Sequence, residues 1–137
     1  MNIGKLFAPT TSKVNLRTKP HINAQIHRNI LDSVKIYKYK SKEETHKRIR
    51  DLDYEWDMER TLEINYAVIV LLSTFLGLFR NKSWFLLAGV ASGFMIQHVL
   101  QGWCPPMPLF RKLGVRTAKE IFTEQEALRS LLSKDKN

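Results

Sequence analysis

Apolar positions crowd together twice in this chain. The first run, Tyr66 to Phe79, is broken only by Ser73, Thr74 and Gly77; the second, Trp84 to Leu100, is 17 residues long; Arg80-Asn81-Lys82-Ser83 joins them. At 1.5 Å per residue the second run makes about 25 Å of helix, the short end of what crosses a hydrocarbon core of about 30 Å. The flanks must therefore help, and Leu62 and Ile64 extend the first pattern toward the N-terminus. The pattern predicts an all-α membrane protein: two antiparallel transmembrane helices near 62 to 80 and 84 to 102, forming a hairpin over 62 to 103. Tyr66, Trp84 and Trp103 fall at run ends, where amphipathic rings prefer the headgroup level. Trp56, Arg111 and Arg116 complete the set of expected interfacial anchors, with charged heads reaching into water.

Helical periodicity continues on both sides. Ser41-Lys42-Glu43-Glu44 has the order of a capping box, and Ile49, Leu52 and Trp56 recur at helical spacing among charged residues. This predicts an amphipathic helix over 41 to 61 leading into the membrane. Since no Pro or Gly interrupts 41 to 76, it is expected to continue without a break and to bend near Glu59 to Asn65. Gly102-Trp103-Cys104-Pro105-Pro106-Met107-Pro108 stops the second run. Beyond it, Leu109 to Leu113 has room for one turn, which Gly114 can end in a left-handed conformation. Thr117-Ala118-Lys119-Glu120 opens the last helix, with Thr123 to Glu126 as an alternative start. The stripe Ile121, Phe122, Leu128, Leu131 and Leu132 is expected to lie on headgroups or a partner, and the tail 133 to 137 to fray. Residues 104 to 137 thus read as a Cys-Pro collar and a C-terminal amphipathic helix.

Composition sharpens the picture. A mean hydropathy of -0.27 averages an apolar centre with strongly charged ends. Of 22 Lys and Arg, 13 precede residue 66, 2 lie in the 80 to 83 turn and 7 follow Leu100, which places both termini in the cytoplasm, here that of a bacterial inner membrane. The net charge of +9 is no nucleic-acid footprint, because acids interleave through 43 to 63 and no nucleic-acid-binding fold surrounds them. Residues 1 to 31 contain no acid at all. This composition suits a transit segment or a docking arm; the reading taken is an extended basic arm over 1 to 40, broken in helix from Asp32, that needs a partner surface to order it.

Candidate chemistry is sparse. Ser73 with Gly77, and Gly89 with Gly93, give small-xxx-small spacing on the two helices, which allows close helix packing within the hairpin or against a partner. His98 is an ionisable residue inside the second run; a neutral imidazole there can ligate haem or chlorophyll, but its nearness to Trp103 favours a hydrogen-bonded interfacial role. Cys104, the single cysteine, is either a structural residue at a helix stop or a thiol activated by Arg111, Lys112 and Arg116. Glu59 and Glu63 are expected to pair with those same cations across the mouth of the hairpin. Glu43-Glu44-Thr45-His46 is half of a di-iron motif and reads as a solvated helix face. With no nucleophile elbow, phosphate loop, zinc spacing or dinucleotide fingerprint, neither an enzyme nor a metal or cofactor is expected.

Gln101-Gly102-Trp103-Cys104-Pro105-Pro106, Pro108-Leu109, Arg111 and Leu113-Gly114-x-Arg116-Thr117 together resemble the YgaP-like two-helix transmembrane domain family, as does Asp53 to Glu63; the resemblance covers 51 to 132. It implies two short membrane helices followed by a Gly-x-Cys-Pro segment. Function in that family is largely unknown. Some members carry a rhodanese sulfurtransferase domain and dimerise, but this chain has no such domain, and only Cys104 matches a family cysteine. The expected function is a structural accessory subunit, in contact with lipids and with other membrane subunits or a second copy of itself. The alternatives are a thiol-, persulfide- or redox-active protein using Cys104, a homodimeric hairpin, and a pigment-binding subunit using His98.

Overall fold

The computed structural model describes residues 7 to 134; the expectations for residues 1 to 6 of the arm and 135 to 137 of the tail lie outside them. The described residues are all-helical, with no strand. Two helices, α4 (Met58–Phe79) and α5 (Trp84–Gln101), include stretches long and apolar enough to cross a membrane. They pack side by side, antiparallel, through Leu62, Tyr66, Ser73 and Gly77 on one helix and Ala91 and His98 on the other. In the turn between them Asn81 Oδ1 accepts the Ser83 amide at 2.9 Å.

The N-terminal segment corrects the extended arm. It folds as α1 (Lys13–Arg17) and α2 (Pro20–Tyr37), the latter unbroken through Asp32. Pro20 at the first helical position starts α2 without loss of a hydrogen bond, and Ile22, Ile26 and Ile30 recur every four residues, giving a buried stripe. The same helix packs on the C-terminal helix of the chain, α7 (Ala118–Lys134), with Val34 and Tyr37 against the cluster that holds Ile121 and Leu128, so this segment rests on its own chain. The helix α3 (Lys42–Asp53) opens with the expected capping box, the Glu44 amide donating to Ser41 Oγ at 3.2 Å, and packs on α7 through Ile49 and Leu52.

The continuous helix from 41 is also corrected. The chain leaves helix at Tyr54–Asp57, not at 59 to 65, because Asp57 caps α4 by accepting the Arg60 amide at 2.9 Å while Glu55 turns aside to meet Arg116. At the other end of the pair, Gly102 takes φ 77° and closes α5 with its amide on the His98 carbonyl. A Cβ at Gly102 would stand 2.6 Å from the Lys13 backbone, so glycine is needed for close approach as well as for the turn. The collar helix α6 (Met107–Lys112) starts two residues before the expected turn, and α7 starts at the Thr117 box, with Glu120 accepting the Thr117 amide at 2.8 Å. Ser133 is still helical.

Candidate functional site

The open end of the α4 and α5 pair is closed by the collar and by α1. The amide of Met58 donates to the Arg116 carbonyl at 2.8 Å and that of Ala8 to the Leu100 carbonyl at 3.2 Å, tying both flanks to the helix ends. Beneath this cover Val14, Met58, Leu62, Tyr66, Ala91, Cys104 and Met107 form one apolar cluster. His98 lies in it, 0% exposed, with Nε2 at 3.2 and 3.3 Å from the two oxygens of Glu59. Lys13 Nζ is 3.3 Å from the same carboxylate. The Cys104 thiol, also buried, neighbours both the His98 ring and the Tyr66 hydroxyl, yet His98 Nδ1 and Tyr66 Oη make no hydrogen bond of ordinary geometry. The sequence proposed Cys104 and His98 separately; the structure brings them together and adds Glu59 and Tyr66. Nε2, the nitrogen considered from sequence for a macrocycle, faces Glu59 instead, and the ring is buried.

The expected pairing of Glu59 and Glu63 with the collar cations is replaced by other partners. Arg111, 1% exposed, is no interfacial anchor: its guanidinium donates to both Glu120 oxygens at 2.8 and 2.9 Å, to Thr18 Oγ1, to Asn23 Oδ1 and to the Val115 carbonyl. Arg116, also buried, bridges Glu55 at 2.7 and 2.5 Å and Glu124. Glu124 further accepts from Ser33 at 2.6 Å and from Arg48. These two guanidinium clusters join α2, α3, α6 and α7, since planar donor forks satisfy several acceptors at once. Burial alone would raise the carboxyls of Glu120 and Glu124; Arg111 and the Thr117 amide outweigh it for Glu120, and Ser33 and Arg116 for Glu124, so both sit below the ordinary carboxylate range. Burial likewise opposes the charge of Arg116, and Glu55 and Glu124 overcome it, raising its pKa. With Arg111 and Arg116 engaged, neither is placed to activate Cys104 as the sequence suggested.

The small residues divide by role. Ser73 and Gly77 are buried in the helix pair, and a Cβ at Gly77 would meet the Phe85 ring at 2.9 Å. Gly89 and Gly93 face away, with open space where their Cβ atoms would be, and Ala91 is the small residue that faces α4. Trp56, Trp84 and Trp103 are exposed, Trp56 with the Arg60 guanidinium 5.9 Å over its ring. Between α4 and α5 an apolar groove of about 720 Å³ opens along Tyr66, Val70, Met95 and Val99. Among the described residues no three of His, Cys, Asp and Glu gather as a metal ion would require.

Sequence reasoning missed Glu59, Tyr66 and Lys13 as members of this cluster. Glu59 and Tyr66 lie seven residues apart on α4, two turns along one face, which was a visible signal once Glu59 was placed inside the helix. Lys13 carried none, because its position follows from the fold-back of α1. Comparison with protein-family models, curated proteins and solved structures finds no match.

Proposed function

We propose that this chain is a small integral membrane protein: α4 and α5 span the bilayer as a hairpin, α2, α3 and α7 form a helical cap at the cytoplasmic headgroups, and α5 packs against a helix of another membrane subunit. Supporting insertion, only 11% of the apolar window of α5 is buried within the chain, and Leu71, Phe75, Phe79, Leu86 and Ile96 lie open around the pair. In water such a surface would drive aggregation; in lipid it costs nothing. The distribution of Lys and Arg supports a cytoplasmic cap, and the likeness of the collar to the YgaP-like domain supports a bacterial inner membrane.

The observation that carries the accessory role is the open Gly89 and Gly93 edge. The pair uses Ser73, Gly77 and Ala91 internally, and an edge without side chains lets a neighbouring backbone approach closely, the chief source of helix association in lipid. A partner subunit is favoured over a second copy by charge. Two copies side by side would set two caps of a chain with net charge +9 at the same level, whereas a partner with an acidic membrane-proximal surface would relieve that repulsion.

Gentle detergent extraction and native mass spectrometry of the wild type and of Gly89→Leu with Gly93→Leu test this. A distinct polypeptide retained by the wild type and lost from the variant is the expected result. Monomers alone, or homodimers that the substitutions break, would overturn the accessory reading.

A further inference from the structure

We propose that Cys104 is a base-assisted thiol that reduces small hydroperoxides, with His98 moving the proton and Glu59 acting as the positioning residue. Glu59 can only accept hydrogen bonds, so the neutral ring carries its hydrogen on Nε2, facing Glu59 at 3.2 Å, and its lone pair on Nδ1, on the side of the thiol. Lys13, 3.3 Å from the same carboxylate, supports its charge. Two polar atoms are left without partners in the cluster, His98 Nδ1 and Tyr66 Oη, the first on a residue that is 0% exposed and the second on one that is 6% exposed. A buried polar atom without a partner carries the cost of its lost hydration, and both of these neighbour the single thiol of the chain, Cys104. Transfer of the thiol proton to Nδ1 answers both deficits: the sulfur becomes an acceptor for the Nδ1 hydrogen and for the Tyr66 hydroxyl, while Nε2 keeps Glu59. A histidine oriented by a carboxylate, with its free nitrogen on the side of a thiol, is the arrangement that prepares a nucleophile by taking its proton.

The substrate class follows from access and from the proton. The sulfur is covered by Val14, Met58, Leu62 and Met107, a cover that shuts out bulky or charged electrophiles and leaves a small uncharged one as the substrate class. A hydroperoxide fits, because its departing oxygen needs the proton that His98 holds. The thiolate attacks the terminal peroxide oxygen, the S–O bond forms as the O–O bond breaks, and His98 returns its proton to the departing oxygen. The peroxide is reduced to water or an alcohol and Cys104 is oxidised to a sulfenic acid. No second cysteine can resolve it within the chain, so a separate thiol must restore the reduced form.

The test exposes the full-length protein in lipid nanodiscs to dilute hydrogen peroxide, then unfolds it into a dimedone-type sulfenic acid probe that is read by intact mass. Cys104 is expected to acquire the probe in the wild type far faster than in the denatured chain. His98→Gln is expected to slow this about a hundredfold, the lower range of what a positioned acid-base group supplies. Glu59→Gln and Tyr66→Phe, close to isosteric, keep the proposal testable if His98→Gln does not fold. Glu59→Gln should also displace the pH profile of the rate, since Glu59, Tyr66 and Cys104 face the ring and Lys13 stands behind Glu59. A wild-type rate no higher than that of the denatured chain, or folded variants reacting at the wild-type rate with an unchanged pH profile, would overturn the proposal.

Discussion

Arg111 and Glu120 form a two-pronged ion pair, at 2.8 and 2.9 Å, in which the guanidinium is fully buried and the carboxylate largely so. Asn15 donates to Glu120 at 2.9 Å, and Thr18 and Asn23 accept from Arg111, so the N-terminal segment is bonded to the collar through this pair. Removing one charge leaves the other buried without a counterion, which costs about 3 to 5 kcal/mol. Glu120→Gln is therefore expected to lower the thermal stability of the cap by that order. Glu126→Gln, which breaks only the exposed pair with Arg129, should change it by no more than about 0.5 kcal/mol. Circular dichroism melts compare the two.

The cap is expected to lose stability in acid. Glu120 and Glu124 are held below the ordinary carboxylate value of 4.5 when folded, so the folded state binds fewer protons than the unfolded chain through that range. Their contribution is complete above about pH 4.5 and is lost as pH falls through their depressed folded values. Melts taken downward from pH 6 should show the fall, and Glu124→Gln should make the profile shallower.

Glycine substitutions should separate the two helix edges. Gly77→Ala drives a methyl group into the Phe85 ring and is expected to loosen the α4 and α5 pair, whereas Gly89→Ala meets open space and leaves it unchanged or firmer by up to about 1 kcal/mol through helix propensity. Gly102→Ala is the most damaging, because it combines a left-handed backbone, worth about 1 to 2 kcal/mol, with a collision against Lys13. Unfolding by denaturant in mild detergent gives the order.

The two apolar helices could be read directly, since long runs leave few alternatives, and both capping boxes followed from Ser41-x-x-Glu44 and Thr117-x-x-Glu120. What escaped depends on contacts distant in sequence. Ile22, Ile26, Ile30 and Val34 were visible as a stripe, but sparse apolar residues in an acid-free segment reveal a helix only when a second surface such as α7 is known. Glu55 and Glu59 differ by one helical turn in sequence, and only the Asp57 cap decides that the first turns to Arg116 and the second to His98. The meeting of Cys104 with His98 required the left-handed turn at Gly102, predictable in kind but not in direction.

The central claim, a two-span hairpin with its cap on one side of the membrane, is tested most directly by cysteine accessibility in intact cells on a Cys104→Ser background. Ser83→Cys, in the turn, and Lys38→Cys, exposed on the cap, are treated with a membrane-impermeant maleimide. The account predicts that Ser83→Cys reacts from outside and that Lys38→Cys reacts only once the membrane is opened. Reaction of both from the same side, or of Ser83→Cys only after opening, would contradict it.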